Sequence, residues 1–227
     1  FQHCCGWGLA MFRRCRRGWG VLLCCAWLWP NSAMAGEPIF QDGNFVPYVE
    51  LPASQSAVTR GLERRVMVFV HFSCPYCRGI HPALTQWSRN LPPGISFEVV
   101  PAVGLQSHVP MALAYYAVLA TDPRQLEAYT TRLYTLLQDQ RRSVERPETF
   151  VEAAAATGIP RERFLAAVQS EEVRQYAVRA QALTRAYGLE EVPSVVVGNR
   201  FLTSPRRVQN QSEAFITVMN GLVSMLY

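Results

Sequence analysis

The sequence predicts an α/β fold interrupted by an all-helical insertion, and three observations lead to this prediction. Short runs of β-branched and aromatic residues occur at residues 65–72, 95–103 and 192–203. Between the last two, a stretch of about 80 residues is rich in alanine and leucine and has a helical period. A cysteine pair, Cys74 and Cys77, directly follows the first run. Strand patterns on both sides of a helical block indicate one sheet that the insertion divides in sequence.

The first 35 residues have the pattern of an export signal. Arg13 to Arg17 is a basic region, residues 21–29 are apolar, and Ala33-Met34-Ala35 fits a small-residue cleavage site. Nine apolar residues are too few for a transmembrane helix, which needs about 20. We therefore expect residues 1–35 to be a cleaved signal peptide. A basic region begins naturally at Met11, so residues 1–10 are a candidate for sequence upstream of the true start.

The rest of the chain, residues 36–227, is nearly neutral. All 22 basic residues are arginines, and four of them lie in the expected signal peptide, which leaves 18 basic against 17 acidic side chains. No basic stretch with interleaved aromatics remains, so nucleic-acid binding has no support. The length and the lack of an internal repeat predict one domain over these residues.

Strand and helix patterns can be followed in order up to the insertion. Residues 45–51 are a candidate first strand, and residues 65–72 have the composition and length of a second. A helix is expected after the cysteines, because Pro75 suits a first helical turn, and Pro82 should kink that helix. A turn rich in proline and glycine then leads to a third strand at residues 95–103.

The insertion covers about residues 106–189 and should contain four or five helices. Proline-containing breaks divide it at residues 121–123, 146–147 and 158–160. The elements expected after it are a strand at 192–197, a hairpin turn at Gly198-Asn199, a partner strand at 200–203 and a closing amphipathic helix at 209–226.

The cysteine pair is the feature that indicates function. If Cys74 opens a helix, its sulfur lies beside unpaired backbone N–H groups and the positive end of the helix dipole, which favour the thiolate. Cys77, one turn later, would be covered by the helix and suited to resolving a mixed disulfide. The pattern predicts thiol–disulfide chemistry that needs no cofactor beyond the Cys74–Cys77 disulfide.

A structural zinc site is the alternative interpretation of this pair. Such a site needs four ligands, commonly from a second CxxC or from two histidines. His71 and His81 complete an H-x2-C-x2-C-x3-H run, but a strand is expected before the cysteines and a helix after them. Four ligands would have to converge across that change of structure, so no metal is expected.

Three segments together resemble the DsbA family of bacterial periplasmic thiol:disulfide oxidoreductases. They are FVHFSCPYC at 69–77, the helical block, and GLEEVPSVVVGNRFLTSP at 188–205. The resemblance extends over essentially all of residues 36–227. It implies a thioredoxin-like fold in which residues 36–105 and 190–227 form the thioredoxin-like part and residues 106–189 the helical insertion.

The resemblance also implies the roles of individual residues. Cys74 matches the nucleophilic cysteine, Cys77 its buried partner, and Pro75 and Tyr76 the dipeptide between them. At the other end of the chain, Val192-Pro193 matches the cis-proline loop that faces the cysteines in this family. With that bond cis, the backbone of Val192 would be free to pair with an extended substrate peptide.

The implied reaction is the transfer of the Cys74–Cys77 disulfide to exported cysteine-containing proteins in the periplasm. The implied partner is a DsbB-type membrane quinone reductase, which would reoxidise the pair, and the implied protein is a monomer.

Tyr76 departs from the best-known members, which have a histidine there, so a weaker oxidant is expected. Val68 replaces a buried carboxylate that often lies six residues before the first cysteine. Proton transfer would then use water or another group, and His71 is a candidate auxiliary, although a histidine ending a strand is more often structural.

Two other functions fit parts of the sequence. A reductase or isomerase of the DsbC or DsbG type would use the same chemistry, but these proteins usually add an N-terminal dimerisation domain. Only residues 36–60 precede the first core strand, which is too short for one. A non-catalytic chaperone or binding module would use the apolar groove of the fold, and the intact cysteine pair argues against it.

Overall fold

A five-stranded mixed sheet forms the centre of the structure, a computed structural model that describes residues 46–52 and 57–227. The strands are β1 (Val49–Glu50), β2 (Arg65–Val70), β3 (Ser96–Pro101), β4 (Ser194–Val197) and β5 (Phe201–Thr203), in the spatial order β1-β5-β4-β2-β3. Only β2 and β3 run parallel. The expected signal peptide and its cleavage site lie outside the described residues.

Strand β2 occupies the middle of the sheet and brings the chain to the cysteines. Its residues 66–70 are all buried, as expected for a continuous apolar strand that is covered on both faces. The strand is shorter than the predicted 65–72. Its ladder with β3 ends where Ala102 N–H donates to Val70 C=O at 2.8 Å, and a turn then follows in which Cys74 N–H donates to His71 C=O at 2.9 Å. His71 therefore follows the strand.

The predicted hairpin between β4 and β5 is confirmed. Gly198 and Asn199 have φ angles of 61° and 57°, the left-handed pair that a tight hairpin turn requires. A side chain at Gly198 would also clash with Leu226 and would place its Cβ 3.0 Å from the Glu63 carbonyl oxygen. Glycine is therefore required here both for the turn and for the close approach of the C-terminus.

Helix α1 (Pro75–Ser88) begins at the cysteine pair and packs on the sheet through Cys77, Ile80, Leu84 and Trp87. These residues are three or four apart and so share one face of the helix. Pro82 lies on the exposed side, and the helix continues through it to Ser88.

The closing helix, α7 (Ser212–Ser224), is tied to α1 by a bond from Trp87 Nε1 to Asn220 Oδ1 at 2.8 Å. It starts later than the predicted residue 209, because a 3₁₀ turn (Pro205–Val208) precedes it and the next two residues have positive φ angles of 54° and 60°.

The insertion contains five α-helices, in agreement with the prediction. They are α2 (Val109–Thr121), α3 (Leu126–Tyr134), α4 (Pro147–Ala155), α5 (Arg161–Val168) and α6 (Glu171–Ala186), with short 3₁₀ turns at Gln106–His108 and Pro123–Gln125. Helix α2 is apolar on nearly all sides and packs against α3, α4, α5 and α6. It is the core of the insertion, because a helix without a polar face must be buried.

A π-helical turn, Thr135–Asp139, continues α3 and was not predicted. In it, Gln140 N–H donates to Thr135 C=O at 3.0 Å, a bond that spans five residues. This turn carries Gln138 and Asp139. Their side chains contact the start of α1 and the turn at residues 71–74 that leads into it, here called the cysteine loop.

Candidate active site

Cys74 is the N-cap residue of α1. Its backbone is extended, with φ −83° and ψ 119°, and its sulfur accepts a hydrogen bond from Cys77 N–H at 3.4 Å. Pro75 takes the first helical position, where a missing N–H leaves no carbonyl unpaired. The sulfur therefore lies at the positive end of the helix dipole, beside N–H groups that no carbonyl within the helix can use.

These donors change the acidity of Cys74. A hydrogen bond from the Cys77 thiol lowers the pKa of Cys74 most, burial opposes the change, and the backbone N–H groups of Cys77 and Tyr76 lower the pKa further, to about 6. At pH 7 a group with that pKa is roughly nine-tenths ionised, whereas an ordinary cysteine thiol is only about 3% ionised. Cys74 is thus a thiolate under neutral conditions without a histidine at position 76.

Cys77 has the opposite environment. It is fully buried, and both its bond to Cys74 and its burial raise the pKa of its thiol far above the usual range. The two cysteines are free thiols in this structure. Above them Phe72 packs against two tyrosines of the insertion, with ring centroids 5.8 Å from Tyr115 and 5.4 Å from Tyr134. A reagent from solvent can therefore reach Cys74 far more easily than Cys77.

The Val192–Pro193 loop faces Cys74 across the site, and its peptide bond is cis. The Cys74 thiol donates to the Val192 carbonyl oxygen at 3.3 Å. That bond needs the thiol proton, so it exists only in the neutral state, whereas the thiolate can only accept. The loop is held by Glu191, whose carbonyl accepts from Ser194 Oγ at 2.7 Å and whose carboxylate accepts from Ser204 Oγ at 2.6 Å.

Val192 lines two cavities. One, of about 350 Å³, is lined among others by His71, Cys74, His108, Glu191 and Val192. The other, of about 310 Å³, is lined by Tyr76, Glu191, Val192, Pro193, Arg206 and Asn210. Tyr76 is 58% exposed. Val192 therefore lines two recesses, and each also includes a residue of the cysteine motif, Cys74 in the first and Tyr76 in the second.

His71 lies beside His108, the last residue of the 3₁₀ turn that precedes α2. The ring centroids are 4.5 Å apart, and His71 Nδ1 accepts from Ser73 N–H at 3.3 Å. His71 Nε2 and His108 Nδ1 are buried and have no hydrogen-bond partner among the described residues. Burial, and to a lesser extent His108, lower the pKa of His71 to about 4. His71 is therefore neutral at pH 7 and contacts the cysteine loop through its backbone-facing nitrogen.

The geometry does not support the zinc alternative. His71 faces His108, whereas His81 lies against Tyr134 with ring centroids 5.8 Å apart. In the part of the chain that the structure describes, no three side chains from His, Cys, Asp and Glu are grouped closely enough to hold a metal ion. Position 68 is a buried valine in the middle of β2, so it supplies no carboxylate to Cys77.

Two residues of the π-helical turn, Gln138 and Asp139, contact the cysteine loop and the first turn of α1 respectively, and sequence reasoning missed both. Gln138 Nε2 donates to the carbonyl oxygens of Phe72 at 3.0 Å and of Cys74 at 3.1 Å. Asp139 accepts two bonds from the Arg78 guanidinium, at 2.6 and 2.9 Å. No local motif marks these residues, because their contacts depend on how the insertion lies on α1.

Comparisons with known proteins identify the family of the chain. A family model described as a DSBA-like thioredoxin domain matches residues 78–215, more than half of the chain. The thiol:disulfide interchange protein DsbA of Bordetella parapertussis is 25% identical over 196 residues, which cover 85% of this chain and 92% of that protein. The protein of the same name from Azotobacter vinelandii is 28% identical over 156 residues, covering 68% and 71%.

Solved structures share the fold. Pseudomonas aeruginosa DsbA matches with a TM-score of 0.70 at 20% identity, covering 79% of this chain and 91% of that chain. Proteus mirabilis DsbA, solved with a non-covalently bound peptide PWATCDS, matches with a TM-score of 0.65 at 16% identity, covering 79% and 95%. The predicted thioredoxin-like fold with a helical insertion is thus confirmed.

The names of these relatives distinguish between the functions that the sequence left open. They favour an oxidoreductase of the DsbA type over an isomerase of the DsbC or DsbG type and over a non-catalytic binding module. The chain belongs to the family of DSBA-like thioredoxin domains and is a thiol:disulfide oxidoreductase of the DsbA type.

Proposed function

We propose that this oxidoreductase donates a Cys74–Cys77 disulfide to cysteine-containing proteins exported to the periplasm. One observation carries the proposal: the Cys74 sulfur lies at the start of α1 against two backbone N–H groups and the Cys77 thiol, at the surface end of the pair. A stabilised thiolate is a good leaving group, and it makes the corresponding disulfide a stronger oxidant. The direction of transfer from enzyme to substrate follows from that stabilisation.

The reaction has two exchange steps. A substrate thiolate attacks Cys74 Sγ in the disulfide, a bond forms between these sulfurs, and the bond to Cys77 breaks. The Cys77 sulfur takes the electron pair and then a proton, as its raised pKa favours. The second substrate thiol loses its proton and attacks the first substrate sulfur, and Cys74 leaves as a thiolate. Two substrate thiols are thereby oxidised to a disulfide while the enzyme pair is reduced.

The substrate segment next to the reacting cysteine would lie along Val192 as an added strand. The position of Val192 supports this, since its carbonyl faces Cys74 and the residue lines two cavities. Alternate side chains of an extended peptide would enter these two cavities. The cysteine-containing peptide bound to Proteus mirabilis DsbA supports binding of this class of ligand.

Export and reoxidation complete the proposal. Residues 1–35 would direct the chain to the periplasm and be removed, which leaves a monomeric domain at residues 36–227 made of the two thioredoxin-like parts and the insertion. A DsbB-type membrane quinone reductase would reoxidise the cysteine pair, and no cofactor or metal is required. The basic region, the apolar run and the Ala33-Met34-Ala35 site support export.

His71 would assist as an orienting group. Its Nδ1 accepts from the Ser73 N–H, next to Cys74, and a pKa of about 4 keeps the ring neutral at pH 7. A neutral ring whose Nδ1 already accepts a bond is suited to holding the loop rather than to carrying protons.

The redox state of the cysteine pair in cells tests the direction of transfer. Acid quenching stops thiol exchange, and the free thiols are then labelled with a reagent that adds mass, so that the reduced and oxidised forms separate on a gel. A mostly oxidised pair is expected of a disulfide donor. A mostly reduced pair in otherwise normal cells would contradict the proposal and indicate a reductase.

A further inference from the structure

The helical insertion contacts the cysteine loop through the π-helical turn Thr135–Asp139. Gln138 is half-buried, and its amide nitrogen donates to two carbonyl oxygens, those of Phe72 and Cys74. One side-chain amide therefore binds the backbone on both sides of Ser73. π-Helical turns occur mostly as single insertions in α-helices and often at functional sites.

Asp139, the next residue of the turn, adds a second link between the insertion and the start of α1. Asp139 forms a two-pronged ion pair with Arg78, and the backbone N–H of Arg78 donates to the same Cys74 carbonyl at 3.2 Å. This ion pair is largely exposed, with 40% and 52% of the two side chains accessible. Exposed ion pairs contribute little to stability, so Gln138 is expected to be the stronger of the two links.

We propose that Gln138 is a positioning residue that holds the backbone around Cys74, so that the Cys74 sulfur stays against the N–H groups at the start of α1. The inference rests on the proposed function of Cys74 as the exchanging sulfur. It assigns to the insertion a part in the chemistry that is separate from any contact with substrate.

The geometry explains why such a link matters. The bond from Cys77 N–H to the Cys74 sulfur, at 3.4 Å, depends on where the Cys74 backbone places that sulfur. The Phe72 side chain is fixed by its packing against Tyr115 and Tyr134, and Gln138 fixes the carbonyl groups that follow. Between these anchors and the first turn of α1, the Cys74 backbone has little freedom.

The test replaces Gln138 with methionine, which has a similar length and no donor. Gln140→Met is the matched control, because Gln140 is exposed and its side chain makes no hydrogen bond to any residue that the structure describes. Gln138→Ala, which removes the amide donor without adding a charge, serves if methionine is not tolerated, with Gln140→Ala as its control. The measurements are the pH dependence of Cys74 alkylation, the equilibrium with glutathione, and the unfolding of both redox forms.

Gln138→Met is expected to raise the pKa of Cys74 by about 0.5 to 1, which lowers its alkylation rate at pH 5 by roughly threefold to tenfold. The equilibrium with glutathione should move by a similar factor towards a less oxidising enzyme. Gln140→Met should match the wild type in both measurements. Equal destabilisation of the two redox forms, with the pKa and the glutathione equilibrium unchanged, would show a purely structural bond and overturn the inference.

The wild type separates this failure from that of the proposed function. If the wild-type protein alkylates rapidly at pH 6 and exchanges with glutathione while Gln138→Met behaves in the same way, only the role of Gln138 is lost. If wild-type Cys74 reacts like an ordinary thiol, the proposed function and the inference both fail.

Discussion

Cys74 and Cys77 are three residues apart on one helix, yet their surroundings differ in every respect that governs thiol chemistry. Cys74 caps the helix, is half-buried and accepts hydrogen bonds, and its pKa falls to about 6. Cys77 is fully buried and donates to Cys74, and its pKa rises. Helix position, burial and the bond between the two sulfurs, rather than residue type, therefore determine which sulfur reacts first.

The difference also reflects an interaction within the pair. The bond that stabilises the Cys74 thiolate comes from the Cys77 thiol, so lowering one pKa raises the other. Interacting groups of this kind lose their protons in steps that belong to the pair. Cys77 is therefore needed for the acidity of Cys74, whereas Cys74 makes Cys77 less acidic, and a variant at either position changes the pKa of the other.

The largest expected effect comes from removing one sulfur at a time. Cys77→Ser should accumulate mixed disulfides with exported proteins, because Cys74 still reacts and no resolving thiol remains on the enzyme. Cys74→Ser should accumulate none, since the remaining thiol is fully buried. The species are measured on non-reducing gels after acid quenching. Equal trapping by the two variants would show that the nucleophile has been assigned wrongly.

A second difference should appear in the rate of alkylation of the reduced protein. Iodoacetamide at pH 7 should modify Cys74 first, because about 90% of a thiol with a pKa near 6 is ionised there, against about 3% of an ordinary one. The rate should fall as pH drops through about 6. Peptide mass spectrometry identifies the modified residue. Preferential labelling of Cys77, or a midpoint near 8.5, would contradict the assigned environments.

The same pKa predicts how stability depends on pH. Because folding lowers the pKa of Cys74, ionisation stabilises the reduced form fully above the unfolded pKa of about 8.5, and this stabilisation is lost as pH falls through about 6. After allowance for solvent screening at a half-exposed sulfur, the gain should be about 1 to 2 kcal/mol between pH 5 and pH 9.

Denaturant titrations of the oxidised and reduced forms would measure this gain. The oxidised form has no thiolate, so it serves as the control for all other titrating groups. The free energy of unfolding of the reduced form, relative to that of the oxidised form, should increase as pH rises. A difference that stays constant from pH 5 to pH 9 would argue against a stabilised thiolate.

Much of the fold could be predicted from local patterns. The Gly198-Asn199 turn and the placement of Pro75 in a first helical turn were both predicted, because each depends on the conformation of one or two residues. The ends of the elements were less accurate. The predicted strand at 65–72 ends at Val70, because pairing with β3 stops there, and no feature of residues 71–72 signals that loss.

The site divides in the same way. Cys74 and Cys77 could be identified from their spacing, because the chemistry depends on one helical turn. His108 and Gln138 could not, since each reaches the cysteine loop through tertiary packing, from 34 and 64 residues away in sequence relative to Cys74. A π-helical turn adds to the difficulty, because it shifts which side chains of a helix share a face.

The smallest expected effect concerns His71. Asparagine can keep an acceptor near the position of His71 Nδ1, so His71→Asn should preserve the bond to the Ser73 N–H and leave the alkylation midpoint of Cys74 near 6. His71→Leu removes the acceptor and should slow alkylation at pH 5 by about twofold to threefold, in line with the loss of part of one hydrogen bond. Because the pKa of His71 is about 4, neither variant should alter the shape of the pH profile between 5 and 8. If His71→Asn instead abolished turnover with a reduced substrate or removed a second titration from the profile, His71 would be a proton carrier, and the asymmetry between the two cysteines would depend on it as well as on the helix.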